Sequence, residues 1–457
     1  MIETDLIGYE SDLAEVVSAL GSEAEELKIK HVFAERDKKF INTVTVNGKV
    51  YAFGNVAPSY DGEIERKRYV KRYAKLSLYK ALSAFLGKAL PWGALTGIRP
   101  TKLAYAEIER TGDFEEFFTD TMKVSQEKTL LTKKVIETQK GIYEKNDLNT
   151  DFFVFIPFCP TRCKYCSFIS SNIKQSYKLV DAYVESLIKE IKASVPLIKK
   201  LRSIYIGGGT PVALPPDKLG EIMEAIDAFN TGVEYTVEAG RPDALTAEHV
   251  ELFKKHGVTR VCVNPQTFNQ KTLDLLGRSH TVEDVFDKYE LVKKDFSVNM
   301  DLIAGLEGES FEDFKYSLDT AVGLSPDNIT VHTLCVKRGS NLAESGKYPP
   351  DGETAAMVDY AFKTLTERGY SPYYLYRQKY MSANLENVGY TKAGKACVYN
   401  VDVMEEISQN IACGANAISK RIFDGGERIE RLASPKDIAT YIGKTDKIIA
   451  DKEKLFI

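Results

Sequence analysis

The sequence predicts an α/β fold, a partial (β/α)6 barrel over residues 151–336 with an N-terminal α+β domain (1–150) and a mainly helical C-terminal extension (337–457). Three observations carry this reading. Six short apolar segments, at 152–157, 203–207, 233–239, 259–265, 297–305 and 329–335, alternate with amphipathic stretches at 177–197, 216–229, 247–256 and 282–294. That is the order of a parallel sheet joined by helical crossovers. Upstream, INTVTVNGKVYAFG alternates about Asn47-Gly48, two residues that accept the positive φ of a type I′ turn, which predicts a hairpin. Downstream, a helical period at 353–368 is followed by the aromatic-rich YSPYYLYRQKY and a final helical stretch. A closed eight-fold barrel takes about 250 residues. The segment is shorter, so the barrel is expected to be open.

Ahead of the hairpin stand a helical pattern at 11–20 and a strand-like stretch at 28–34; after it, helices are expected at 65–86 and 125–144, separated by the turn-rich PWGALTGIRPTK. The basic segment ERKRYVKRYAK, with Tyr69 and Tyr73 interleaved, has two readings: a grip for an acidic ligand, RNA or an electron-donor protein, or a solvated helix face over packed tyrosines.

The 457 residues are 44% hydrophobic and carry a net charge of −4, enough apolar material for large cores and no global pull toward nucleic acid or an anionic membrane. No apolar run approaches the roughly 18 residues of a membrane span, and MIETDLIGYESDLAEVV lacks the pattern of a secretion signal, so a cytoplasmic protein is expected. Seven cysteines are too few for a disulfide scaffold in a chain this long. Cys262, Cys335, Cys397 and Cys413 stand alone and read as small buried hydrophobes.

Cys159, Cys163 and Cys166 do not stand alone. They form C-x3-C-x2-C in IPFCPTRCKYCSF, directly after the first barrel segment. Thiolates are the preferred ligands of iron–sulfur clusters, and three of them leave one iron of a [4Fe-4S] cubane open to a chelating ligand. A structural zinc ion needs a fourth ligand; His256 and His280 are the nearest imidazoles considered, and neither has the usual local spacing. Gly207-Gly208-Gly209-Thr210-Pro211 follows the second segment, where glycine lets a backbone approach a ligand. Glu238 ends the third strand, Gln266 the fourth, and Asp301 lies on the fifth. One polar residue there is ordinary surface chemistry, but three around one mouth point to a site. Asp301 suits a ribose hydroxyl pair, and Arg278 suits a carboxylate clamp.

FIPFCPTRCKYCSF, IYIGGGTP, VNPQTFNQKTLDLLGRSHT and NMDLIAGLEGES together resemble the radical S-adenosylmethionine (SAM) superfamily and, within it, the oxygen-independent coproporphyrinogen III oxidase (coproporphyrinogen dehydrogenase) family. LYRQKYMSANLENVGYTKAGKACVYN and IACGANAISK are similar to its HemZ type. The resemblance implies a [4Fe-4S] cluster on the three cysteines, SAM chelated to its open iron, and reductive cleavage of SAM to a 5′-deoxyadenosyl radical. It implies that Gly208 and Glu238 contact the SAM bound to the cluster. Gly209, Thr210, Gln266, Arg278 and Asp301 match positions lining a second SAM site, with Tyr165 and Ile418 as further cofactor contacts. The implied reaction is oxidative decarboxylation of two propionates of coproporphyrinogen III to vinyl groups, with flavodoxin or ferredoxin as electron donor. The first strand departs from the family: Phe153 and Phe155 stand where Tyr-x-His is usual, and the usual N-terminal arm is not recognisable.

A tetrapyrrole with four propionates calls for cations, and Arg241, Arg377 and Lys379 are the candidates. One branch of the family carries haem and bears a His-Asn-x-x-Tyr-Trp signature near its C-terminus. The nearest stretch here, Ala383-Asn384-Leu385-Glu386-Asn387, lacks the histidine. A radical enzyme acting on another tetrapyrrole or metabolite is the third reading.

Overall fold

The computed structural model describes every residue except 1, 38, 57, 61, 98, 167–169, 336–350, 379, 380, 382, 383 and 427. The chain forms two compact units, Met1–Lys133 and Lys134–Ile457.

In the first unit, β1 (Ile2–Thr4), β2 (Ile29–Arg36), β3 (Lys39–Val46) and β4 (Lys49–Val56) make a sheet in sequence order. Asn47 and Gly48 take φ of 45° and 85°, the left-handed pair that the hairpin requires. Helices α1 (Glu10–Ala19) and α2 (Gly62–Leu86) accompany the sheet, and Phe40 of β3 packs against Tyr73 of α2. At least four of the six cations of the basic segment are paired with carboxylates: Lys71 and Lys75 with Asp12, Arg66 with Glu35 and Arg72 with Glu107. The solvated-face reading of that helix therefore describes it. Helix α3 (Pro100–Thr111) was not expected from the turn-rich stretch before it. Pro100 opens it where a missing N–H costs nothing, and Gly112, at φ 86°, closes it. Helix α4 (Gln126–Thr138) ends six residues earlier than the 144 expected.

The second unit holds an eleven-stranded sheet. Its centre is β5 (Asn149–Ile156), β6 (Lys200–Gly208), β7 (Glu234–Val237), β8 (Arg260–Cys262), β9 (Ser297–Ala304) and β10 (Asn328–Thr333), each parallel to the next, as the six segments predict. The crossovers are α5 (Val180–Ser194), α6 (Pro216–Asp227), α7 (Ala247–Lys255), α8 (Gln270–Leu275), α9 (Val282–Val292) and α10 (Phe311–Leu324). Thr246, Thr281 and Ser310 cap α7, α9 and α10, each with a reciprocal bond from the third helical residue. Along β5 the pleat sends alternate residues to opposite faces. Phe152, Val154 and Ile156 are fully buried, whereas Phe153 and Phe155 line a cavity on the other face.

The C-terminal extension ends in helices, α13 (Ile438–Gly443) and α14 (Thr445–Phe456), and begins with α11 (Asp351–Glu367). Between them, around helix α12 (Val398–Glu405), five short strands extend the sheet at both edges. Strands β11 (Ser371–Tyr376) and β12 (Asn387–Thr391) continue antiparallel beyond β10. On the far side β13 (Gln409–Cys413) lies parallel to β5, followed by antiparallel β14 (Ile418–Phe423) and β15 (Arg428–Ala433). Aromatic density hid these strands, since YSPYYLY fits a buried strand and a packed loop equally. No helix among the described residues is long and apolar enough to cross a membrane.

Candidate active site

The cysteine loop leaves β5 after Ile156, and Phe158–Cys159 forms a two-residue parallel pair with Ser171–Asn172. The glycine motif at the end of β6 braces this loop. Gly209 N–H donates to Ile156 O at 2.7 Å, and Thr210 N–H donates to Phe158 O at the same distance. At Gly209 a Cβ would stand 2.6 Å from Phe158 O and 3.0 Å from Cys159 Sγ. Gly208 adopts φ 111°, and a Cβ there would meet the Phe155 ring at 2.9 Å. Close approach therefore requires glycine at both positions, and at Gly208 the conformation requires it as well.

A cavity of about 630 Å³ opens from the three cysteines. It is lined by Tyr165, Gly208, Gly209, Thr210, Glu238, Arg241, Gln266, Arg278, Asp301 and Ile418, so one space gathers every cofactor position named from the sequence, together with Arg241. Arg377 lines no part of it. Its buried guanidinium donates to Asn384 O and Oδ1 at 3.0 and 2.8 Å, and burial lowers its pKa to about 10. It is withdrawn as a substrate cation. Arg377→Ala is expected to lower the melting temperature, by about 1–3 kcal/mol of stability for the carbonyls left unpaired, without changing the concentration of substrate needed for half-maximal turnover. Lys379 lies outside the described residues.

The two cavity arginines differ from expectation too. Arg241 is clasped by both carboxylate oxygens of Asp243, at 2.9 and 2.8 Å, and donates to Thr161 Oγ1 at 3.0 Å. Arg278 donates to Tyr165 Oη, Gly240 O and Asn264 O at 3.0, 3.1 and 2.9 Å. Both guanidinium groups reach Cys163 Sγ, at 3.8 and 3.9 Å. They are placed to offset thiolate charge, whereas a carboxylate clamp or propionate contact would need donors already engaged by the protein.

Glu238 Oε1 accepts a 2.5 Å bond from Tyr205 Oη. Burial raises its pKa to about 7, opposed by the Tyr205 bond and reinforced by the Asp301 charge. Asp301 keeps about 20% of its side chain exposed, and His332, Asn299 and Thr330 outweigh desolvation and hold its pKa below the usual value. Gln266 sits at φ 68°, unusual for a side chain of that size, and is locked there by Gln266 N–H to Asp301 O at 2.8 Å and Ile303 N–H to Gln266 O at 2.9 Å. Backbone held in this region costs about 1–3 kcal/mol and clusters at ligand sites.

Several cavity residues escaped the sequence reading. Tyr399 stacks on Tyr205 at 4.3 Å between centroids and lies nearly parallel to Phe153 at 5.9 Å, making one aromatic wall. His332, on β10, stands 3.7 Å from Asp301 and 3.5 Å from Tyr376 Oη. Cys262, Cys335 and Cys397 line the same space, so three of the four solitary cysteines are cavity residues. The alternation of β10 could have shown His332; nothing local marks Tyr399. Of the histidines weighed for zinc, His256 bonds Asp227 at 2.7 Å and His280 is buried against Arg278, and neither lines the cavity.

Comparison with known proteins gives four findings. The radical SAM superfamily matches residues 153–321. The chain is 33% identical over 466 aligned positions to the oxygen-independent coproporphyrinogen-III oxidase-like protein HemZ of Bacillus subtilis, covering 95% of this chain and 92% of that one. It is also 33% identical to the heme chaperone HemW of Lactococcus lactis, over 49% of this chain and 60% of the relative. Among solved structures, coproporphyrinogen III oxidase (HemN) from Escherichia coli has a similar fold, with a TM-score of 0.54 at 21% identity, over 71% of this chain and 73% of that one.

Proposed function

Because the chain belongs to the radical SAM family of oxygen-independent coproporphyrinogen-III oxidase-like proteins, and with that family uses a [4Fe-4S] cluster and SAM, we propose that it decarboxylates two propionates of coproporphyrinogen III to vinyl groups, giving protoporphyrinogen IX. Each propionate loses a hydrogen atom from its β-carbon, one electron and CO2. The observation that carries this reading is the shared cavity: three thiols at one side, and a flat wall of Phe153, Tyr205 and Tyr399 suited to a tetrapyrrole face.

The residues fit the cofactors. Cys159, Cys163 and Cys166 hold the cluster, with Arg241 and Arg278 beside Cys163 to compensate charge. When bound, cluster and SAM supply the one-electron chemistry. Gly208 would give close backbone access, Glu238 would hold the SAM ammonium, and Asp301 the ribose hydroxyls. The described part of the C-terminal extension, 351–457, would cover the substrate and exclude water, and a flavodoxin or ferredoxin would deliver electrons.

Haem carriage is the second reading, and His332 favours it, as an imidazole inside the cavity. Both of its ring nitrogens already have neighbours in Asp301 and Tyr376, which suits a polar wall better than an axial iron ligand. Reduced, cluster-loaded protein incubated anaerobically with SAM and coproporphyrinogen III is expected to release 5′-deoxyadenosine and vinyl products, and haem titration is expected to give no spectral change that His332→Ala removes. Stoichiometric haem binding lost in His332→Ala, with no vinyl product, would decide for the carrier.

A further inference from the structure

The turn between β13 and β14 carries Asn416, Ala417 and Ile418 into the cavity. Nothing in that turn is charged, yet beneath it lies a dense buried polar cluster that does not line the cavity. Gly414 N–H donates to Glu190 Oε2 at 2.8 Å, and Tyr441 Oη donates to the same oxygen at 2.5 Å. The other oxygen of Glu190 accepts from Lys452 Nζ at 2.6 Å, and Lys452 also donates to Ser194 Oγ and Cys413 Sγ, each at 3.2 Å. Tyr183 Oη accepts from Ala415 N–H at 3.2 Å and donates to Phe155 O at 2.6 Å. Glu190 is 0% and Lys452 1% exposed.

Three features make this more than packing. Gly414 is held at φ 112°, where a Cβ would stand 2.5 Å from Phe155 O and 2.7 Å from Tyr183 Oη, so the turn is pressed against the strand that leads to Cys159. Each backbone N–H that the turn offers inward, from Gly414 and Ala415, ends on a side chain of α5. A buried ion pair is costly to desolvate and is often replaceable by apolar residues at no loss of stability, so stability alone is a poor account of it.

We propose that Glu190 and Lys452 are positioning residues: the pair, joined by Tyr441, fixes the Gly414–Ala417 turn at the height at which its cavity side meets SAM. The last helix, α14, thereby controls cofactor binding although it touches no cofactor. The inference rests on the reading of the cavity as the SAM site.

The test uses full-length, cluster-loaded protein, with SAM as the probe in equilibrium dialysis and amide exchange read at residues 414–417. Lys452→Met is expected to raise the dissociation constant for SAM about tenfold, a modest share of what an ångström of misplacement can cost. The amides of Gly414 and Ala415 should exchange faster while iron content stays unchanged. The double variant Glu190→Gln with Lys452→Met removes both charges but keeps an acceptor for Gly414 N–H, and it is expected to recover most of the affinity. Should Lys452→Met not fold, Tyr441→Phe, which removes a single donor from Glu190, is expected to shift affinity and exchange in the same direction. Lowered melting temperature with unchanged SAM affinity and unchanged exchange at 414–417 would overturn the proposal. Wild-type protein that holds its cluster but binds no SAM would overturn the reading of the cavity instead, and the inference with it.

Discussion

Alanine at Cys159, Cys163 or Cys166 is expected to abolish SAM cleavage, with 5′-deoxyadenosine falling to the assay background and iron falling well below four per chain. The remaining thiols make this a sharp test. Cys262, Cys335 and Cys397 line the same cavity, so proximity alone would let them stand in. Their surroundings argue otherwise. Cys397 Sγ donates to Glu234 at 3.1 Å, and burial pushes its thiol pKa up. Cys262 is also raised, by burial first and then by Glu238 and Asp301. A thiol held protonated is a poor iron ligand. Cys413 accepts from Lys452 outside the cavity, and burial raises it to about 11. Alanine at these four positions is expected to leave the cluster spectrum and the iron count intact. Equal loss of cluster on replacing any of them would refute the ligand assignment.

Glu238→Gln is expected to weaken SAM binding by about tenfold to a hundredfold at pH 8, the worth of one hydrogen bond to a charged partner. It should also remove a pH dependence. Free Glu238 titrates near 7 because burial favours its neutral form, with the Asp301 charge adding to the effect. An ammonium beside it favours the ionised form, so SAM binding releases a proton below that pKa. Wild-type affinity should therefore rise about tenfold per pH unit up to about 7 and flatten above it. Stability of the SAM-free protein runs the other way. The raised pKa is a contribution present below the unfolded value near 4.5 and lost as pH rises to about 7. Dialysis with labelled SAM between about pH 6 and 8, compared for the two proteins at equal iron content, checks both signs. Identical slopes would remove Glu238 from the SAM site.

What the sequence showed of this protein is set by how local each signal is. The C-x3-C-x2-C run, the glycines after β6 and the Asn47-Gly48 turn are contiguous, and each needs only its own neighbours to be read. The strand ends near Glu238 and Gln266, and the strand that carries Asp301, were legible one step further out, because apolar segments mark where strands run and finish. Two of those strands are shorter than expected: β7 stops at Val237 and β8 at Cys262, since the following residues leave the ladder to enter the cavity. Arg377 misled for a physical reason: a cation in an aromatic stretch reads the same whether it faces a ligand or caps carbonyls of its own loop. Arg241 and Arg278 were placed in the right space with the wrong partners, because Asp243 and the carbonyls of Gly240 and Asn264 meet them only in three dimensions. The Glu190–Lys452 pair spans 262 residues, beyond the reach of any pattern along the chain.

The parallel pairing of β13 with β5 has a consequence for synthesis. The strand that leads to the cysteines leaves the ribosome about 260 residues before the strand that covers its outer edge, an interval on the order of tens of seconds at ordinary elongation rates. Through that time β5 presents an unpaired edge whose last five residues, Phe152 to Ile156, are all apolar, the kind that recruits other chains into aggregates. Until β13 arrives that edge has no strand partner, and iron loaded before then would enter a half-walled vessel.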